Sequence, residues 1–135
     1  MTVQQTGVLA SNGRGGFPHQ VAMWYLPEPG RILMWSYGKA QKTINLRRDP
    51  RASLLVESGS TDYGRLRGVR IEGVVHFLED LDEVLEIGIR LRLRNHPGTE
   101  RAESQSYIER QAAKRIVIVL PMERVTSWDH GKLPR

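Results

Sequence analysis

Tyr63-Gly-Arg-Leu-Arg-Gly-Val-Arg-Ile-Glu-Gly-Val-Val-His-Phe77 is the stretch whose reading decides the fold. Val69, Ile71, Val75 and Phe77 share one parity, so they face one side of an extended chain whose side chains alternate, while Leu66 falls on the other side. A phase slip near Gly68 reconciles the two. Such slips come from β-bulges, which bend a strand hard enough to turn a sheet's corner and favour glycine. The expectation is a curved sheet or small barrel.

The flanking segments fit that picture. Upstream, Gly7-Val-Leu-Ala-Ser11 and Pro18 to Leu26 read as strands around the turn Asn12-Gly-Arg-Gly-Gly16, hence a hairpin. Pro27-Glu-Pro-Gly30 marks a second turn before the short apolar strand Arg31-Ile-Leu-Met-Trp35. Lys39 to Asp49 reads as a helix that stops before Pro50, and Ala52 to Glu57 returns to strand. Downstream, Leu81, Val84, Leu85, Gly88 and Leu91 keep helical spacing behind the acidic opening Glu79-Asp80-Leu-Asp82-Glu83. Asn95-His-Pro-Gly98 ends that helix, Ser104 to Lys114 reads as another, and Arg115 to Trp128 as a closing strand interrupted by Pro121.

At 135 residues the chain is one domain, 1–135, long enough to bury about two-thirds of its unfolded surface. With 39% hydrophobic and 26% charged residues it is in the globular range, and no apolar run approaches the about 18 residues of a membrane span. Zero cysteines exclude a disulfide framework, a thiolate metal site and a cysteine nucleophile. The start Met1-Thr-Val-Gln-Gln-Thr lacks the basic-then-apolar layout of a secretion signal, so a cytoplasmic protein with no membrane partner is expected. The net charge of +5 is concentrated: Arg31, Lys39, Lys42, Arg47, Arg48 and Arg51 face only Asp49, so this window alone is +5 and the rest is near neutral. A localised anion-attracting patch is the expectation, against the alternative of a solvated helix face.

Ser36, Lys39 and Lys42 cluster where a strand hands over to a helix, beside Gly38. Free backbone amides, the helix dipole and two ammonium groups there have the chemistry of a phosphate site, although no Walker-type loop is present. His19, His76, His96 and His130 lack metal-ligand spacing, so structural or solvent-facing roles and a metal-free protein are expected. No Gly-x-Ser-x-Gly elbow supports a triad hydrolase. Trp24, Tyr25, Trp35, Tyr37 and Trp128 could stack on a planar ligand, with core packing the alternative for each. They do not interleave with the lysines and arginines, which argues against an OB-like single-stranded nucleic-acid binder.

Taken in order, Gly7 to Ser11, the Gly-rich turn, Phe17-Pro-His-Gln-Val-Ala-Met-Trp-Tyr25, Ile32-Leu-Met-Trp-Ser36, Lys42-Thr-Ile-Asn-Leu-Arg-Arg-Asp-Pro-Arg51 running on to Val56, and Val69-Arg-Ile-Glu-Gly73 resemble the pyridoxamine 5′-phosphate oxidase-like split β-barrel superfamily. Lys-x-x-Asn-Leu-x-x-Asp-Pro-Arg is the most specific element. With the tail Pro121-Met-Glu-Arg-Val-Thr-Ser-Trp-Asp129, the chain looks most like flavin/deazaflavin oxidoreductase branch B, which uses coenzyme F420 in place of FMN. The match runs from Gly7 to Leu133. Members usually carry a helix before the first strand; only six residues precede Gly7 here, which points to a short variant or an upstream start.

The resemblance implies a mainly β (α+β) fold: a six-stranded split β-barrel of the FMN-binding type with flanking helices, homodimeric, with two equivalent cofactor sites at the subunit interface. Carried over, Val21 and Met23 lie beside the ring, and Trp35 and Ser36 border the ring and phosphate region. Lys42 binds the phosphate, Lys39 and Asn45 support it, and Trp128 approaches the ring of the partner subunit. The implied function is hydride transfer from reduced F420 to a small conjugated acceptor such as an enone or tetrapyrrole. F420's phosphodiester and polyglutamate tail suit a basic patch. An FMN-dependent oxidase or reductase and a non-catalytic F420- or flavin-binding protein are the alternatives. No catalytic side chain is assigned, because the cofactor carries the chemistry.

Overall fold

The computed structural model describes residues 6–59 and 61–132; the reading of residues 1–5 as free of a leader lies outside them. Two hairpins come first. β1 (Thr6–Asn12) and β2 (Pro18–Trp24) pair in unbroken register, from Thr6 opposite Trp24 to Asn12 opposite Pro18. β3 (Leu26–Glu28) and β4 (Arg31–Tyr37) are joined by Pro29-Gly30. Gly30 has φ +78°, the left-handed conformation that a type II turn demands after proline and that a side chain resists.

Next come α1 (Gln41–Arg48), β5 (Arg51–Ser58), a 3₁₀ turn (Tyr63–Arg65), β6 (Arg67–Val74) and β7 (His76–Leu78). α2 (Leu81–Asn95), α3 (Arg101–Ala112), β8 (Arg115–Pro121), β9 (Arg124–Asp129) and a short 3₁₀ turn (His130–Lys132) complete the described chain. The strands form two antiparallel sheets, ordered β2-β1-β5-β6-β9 and β3-β4-β8-β7. Six of them, β1, β2, β4, β5, β6 and β8, are seven or eight residues long and make the body of the split barrel.

The chain does turn a corner after Tyr63, but not at Gly68. β5 and β6 stay in register from Ser58 opposite Arg67 to Arg51 opposite Val74, and β9 pairs with β6 equally regularly. Leu66 is out of phase because it caps the 3₁₀ turn ahead of the strand. The bend falls at Val75, where the chain leaves the first sheet for the second; its N–H bonds Pro50 O at 2.8 Å. Gly68 serves another purpose, since a Cβ there would lie 2.5 Å from the Trp128 ring.

The same switch divides the expected closing strand. Instead of one interrupted strand, β8 lies in the second sheet and β9 in the first. Glu123 makes the joint, its N–H bonding Glu72 O and its carboxylate accepting from Val74 N–H at 2.7 Å.

Burial explains the sequence pattern. β5 alternates because only Ala52, Leu54 and Val56 face the barrel interior, where they meet Leu9, Ile71 and Met34. β4 and β8 read as continuous apolar runs because both faces are covered. Ile32, Met34, Ile116, Ile118 and Leu120 point inward, while Leu33, Val117 and Val119 pack under Val84, Ile87 and Leu91 of α2. α2 starts where expected, Asp80 accepting from Glu83 N–H at 3.1 Å with Asp82 and Glu83 in the first turn. α1 begins two residues later than expected, since Gly38 N–H still bonds Lys114 O and Ala40 closes a turn on Tyr37. α3 begins three residues earlier; Ser104 resembles a cap but is buried inside the helix. No helix among the described residues is long and apolar enough to cross a membrane.

Candidate functional site

A cavity of about 480 Å³ opens where the barrel splits, between the free edge of β2, the end of β4 and the α2–α3 pair. Ala22, Met23 and Trp24 of β2, Trp35 and Tyr37 of β4, and Lys42 of α1 form one side; Gly88, Leu91 and Arg92 of α2, with Tyr107, Ile108 and Gln111 of α3, form the other, with Arg115 and His96 at the ends. Among the described residues β2 pairs only with β1, so the backbone N–H and C=O groups of its outer edge are open to a ligand.

Trp35 makes a rigid wall. Its indole N–H donates to Val84 O at 2.9 Å, and α2 can lie on the ring because position 88 is glycine: a Cβ there would approach Trp35 to 2.8 Å. Arg115 is 3.5 Å from the Tyr37 ring centroid and 4.7 Å from that of Trp35, and donates to Gln111 Oε1 at 3.1 Å. Arg92 lies 4.0 Å from the Tyr107 centroid.

The electrostatics are lopsided. Among the described residues Lys42, Arg92 and Arg115 line the cavity and no aspartate or glutamate does. Burial, then the nearby Arg115, push the Lys42 ammonium below its ordinary pKa of 10.5, and Lys42 has no hydrogen bond or ion pair among the described residues. Arg92 Nε and Arg115 Nε are both buried without an acceptor. Each such donor costs about 1–3 kcal/mol while unmet. Half-buried cations with no acid beside them make a site shaped for an anion.

Met23, Trp35 and Lys42 are thus brought together here, and Trp24 and Tyr37 prove to be exposed rim aromatics, not core. Tyr25 is the one fully buried ring of the five that could have stacked. Val21 packs on the barrel core and does not line the cavity. Ser36 is 1% exposed, its hydroxyl 3.0 Å from Thr43 Oγ1 and bonded to Tyr37 O, so it fastens the strand to the helix. Asn45 is likewise buried, donating to Ser11 Oγ and accepting from Gln41, which pins α1 to β1. Lys39 is exposed and outside the cavity.

Trp128 lines a different cavity of about 600 Å³, in which Arg67 and Lys132 are matched by Glu57 and Asp129. β2 and β9 are opposite edges of the five-stranded sheet, four strand spacings or about 19 Å apart, so Trp128 does not reach the first cavity of its own chain.

Half of the basic window is answered within the fold: Arg31, Arg47 and Arg51 are each within 2.8 Å of a carboxylate, on Glu28, Glu79 and Asp49, whereas Lys39, Lys42 and Arg48 make no ion pair among the described residues. The Arg51 and Asn12 side chains hold the Asp49 carboxyl far below the usual range. Arg92, Arg115 and Tyr107, which line the site, are not among the residues the sequence points to; the one-turn step from Tyr107 to Gln111 on α3 is the signal it offers. Among the described residues no group of three or more histidines and carboxylates could hold a metal ion. His96 sits at the rim, edge-on to Trp24 at 5.5 Å, and His130 Nδ1 contacts Tyr63 O.

A barrel split between two antiparallel sheets, with an aromatic, cation-lined cavity at a free strand edge, is the architecture of the cofactor-binding split barrels. The chain belongs to the pyridoxamine 5′-phosphate oxidase family, whose sequence profile matches residues 2–129. It is similar to the conserved hypothetical protein Rv2991 from Mycobacterium tuberculosis, at 38% identity and TM-score 0.86, over 99% of this chain and 84% of that one. An F420 reductase (22% identity, TM-score 0.69, 90% and 89% covered) and an FAD-binding protein from Mesorhizobium loti (22%, 0.63, 93% and 84%) share the fold. No curated protein matches the chain.

Proposed function

We propose that this chain is an oxidoreductase that binds coenzyme F420 in the cavity between β2, β4 and the α2–α3 pair and acts on a small conjugated acceptor. The observation that carries the reading is the Lys42–Arg115 pair: two cations crowded together in partial burial with no carboxylate beside them. A phosphodiester placed there offsets both the burial of Lys42 and its repulsion by Arg115. Similarity in fold to an F420 reductase agrees with this, and similarity to an FAD-binding protein makes a flavin the competing ligand.

Reduced F420, when bound, supplies a hydride to a polarised double bond. The residues of this chain orient and enclose. Lys42 and Arg115 hold the phosphate, and the edge of β2 at Ala22 to Trp24 offers backbone donors and acceptors to ring heteroatoms. Trp35, locked by its bond to Val84 O, gives a flat wall, and Trp24, Tyr37 and Tyr107 keep water from the cleft. The assembly we propose is a homodimer in which Trp128, on the far edge of the sheet in its own chain, meets the cavity of a second copy. A small molecule, not a nucleic acid, is the partner that fits an enclosure of this size.

Fluorescence titration with F420 and separately with FMN, at low and moderate salt, tests the reading. F420 should bind more tightly and lose affinity as salt rises. Preference for FMN would move the protein to the flavin-dependent class, and binding of neither would overturn the proposal.

A further inference from the structure

The cations of the cavity do not form one cluster. Tyr107 and Gln111 are one turn apart on α3, and Arg115 opens β8 just beyond the helix's end at Ala112. Arg92 stacks on Tyr107 at one end of this row, whereas Arg115 bonds Gln111 and stacks on Tyr37 at the other. Arg92 and Arg115 thus have separate aromatic partners, and Lys42 is coupled to Arg115 and not to Arg92.

Arg92 is also the least compensated of the cavity's arginines. It donates no side-chain hydrogen bond among the described residues, its Nε is buried without an acceptor, and no acid lines the cavity beside it. Stacking on Tyr107 occupies the face of the guanidinium and leaves its in-plane N–H fork, the geometry that pairs with a planar carboxylate. The face of Tyr107 holds Arg92 in the cavity in the place of a salt-bridge partner.

We infer that Arg92, held on Tyr107, binds a carboxylate, so that the full occupancy of the site is two separate anionic groups. The identity of the first ligand rests on the proposed function; the carboxylate site does not. The carboxylate comes either from a conjugated acceptor or from the glutamate residues of F420.

Calorimetric titration decides between these sources and tests the site. In one arm trans-cinnamate and its methyl ester are titrated into the protein, with and without F420; in the other, F420 and F420 with its carboxyl groups methylated are titrated into the cofactor-free protein. At least one pair should show about a tenfold preference for the carboxylate-bearing member, a typical worth of one charge-assisted bond. Arg92→Gln should erase that preference, Arg92→Lys should keep part of it, and Tyr107→Ala should weaken it without removing the charge. Tyr107 is on an exposed helix face, so this last variant serves even if Arg92→Gln does not fold.

A cinnamate preference places the carboxylate on the acceptor; a tail preference places it on the cofactor. No preference in either arm, or one that survives in Arg92→Gln, overturns the inference. Failure of F420 to bind while an Arg92-dependent cinnamate preference persists would instead sink the proposed function and leave this site standing.

Discussion

Lys42 and Arg47 belong to one helix of eight residues, yet they meet opposite fates. Arg47 reaches Glu79 at 2.7 Å and lies over the Phe77 ring at 4.6 Å, so its charge is answered within the fold. Lys42 faces the cavity with Arg115 as its charged neighbour and its pKa is lowered. The lesson is that a count of basic residues says little about anion binding. What matters is which of them line the cavity away from any carboxylate, and that set is Lys42, Arg92 and Arg115, only the first of which lies in the basic window of the sequence.

The largest effect should come from removing the unanswered charge. Lys42→Ala is expected to weaken F420 binding about 10- to 100-fold, the value of a charge-assisted hydrogen bond of roughly 1.5–3 kcal/mol, while changing stability by less than about 0.5 kcal/mol. Binding an anion favours protonated Lys42, so wild-type affinity should also fall on the alkaline side, with an onset below the 10.5 of an ordinary lysine. Titrations of both proteins across pH check this. Equal affinity in variant and wild type would erase the distinction between the two faces of α1.

An answered cluster should behave in the reverse way. Glu28 accepts from Arg90 Nη1 and Arg31 Nε, both at 2.8 Å, which ties α2 to the β3–β4 hairpin and lowers the Glu28 pKa below its ordinary 4.5, the Arg90 bond contributing most. A depressed carboxyl pKa contributes stability above the unfolded value that is lost as pH falls through the folded one. Glu28→Gln should therefore cost about 1 kcal/mol at neutral pH, discounted for the partial exposure of both arginines, and flatten the loss of stability on acidification below about pH 5. F420 affinity should not move. Denaturant melts from pH 7 to 3 read the first two effects.

The sequence carried much of the frame because local chemistry set it. Gly30 after Pro29, the acidic start of α2 at Asp80 to Glu83, and the stop at Pro50 each act within a few residues of themselves. The corner at Val75 was less legible. A parity count registers a slip between Leu66 and Val69 but cannot separate a bulge inside a strand from a 3₁₀ turn before it. The site was legible in part: Lys42, Trp35 and Met23 come with a family motif. Ser36 and Asn45 come with it too, but their side chains are consumed in holding α1 to its neighbours. Arg92 and Arg115 read as ordinary polar residues of helix and strand, since what distinguishes them is the absence of acids from elements distant in sequence.

The smallest expected effect tests the comparison most sharply. Glu79→Gln frees Arg47 from its partner and raises the net charge by one, without touching the cavity. Side-chain exposures of 45% and 59% make this a surface pair worth about 0.5 kcal/mol or less, and Arg47 keeps its place over Phe77. If anion affinity follows total charge, the variant should bind F420 more tightly, and more so at low salt. If it follows partnerless cations inside the cavity, affinity should stay within about twofold at physiological ionic strength, where charges more than about 8 Å apart are largely screened. Titrating both proteins at two salt concentrations distinguishes the two, and a clear gain for Glu79→Gln would restore the basic window of the sequence as the determinant.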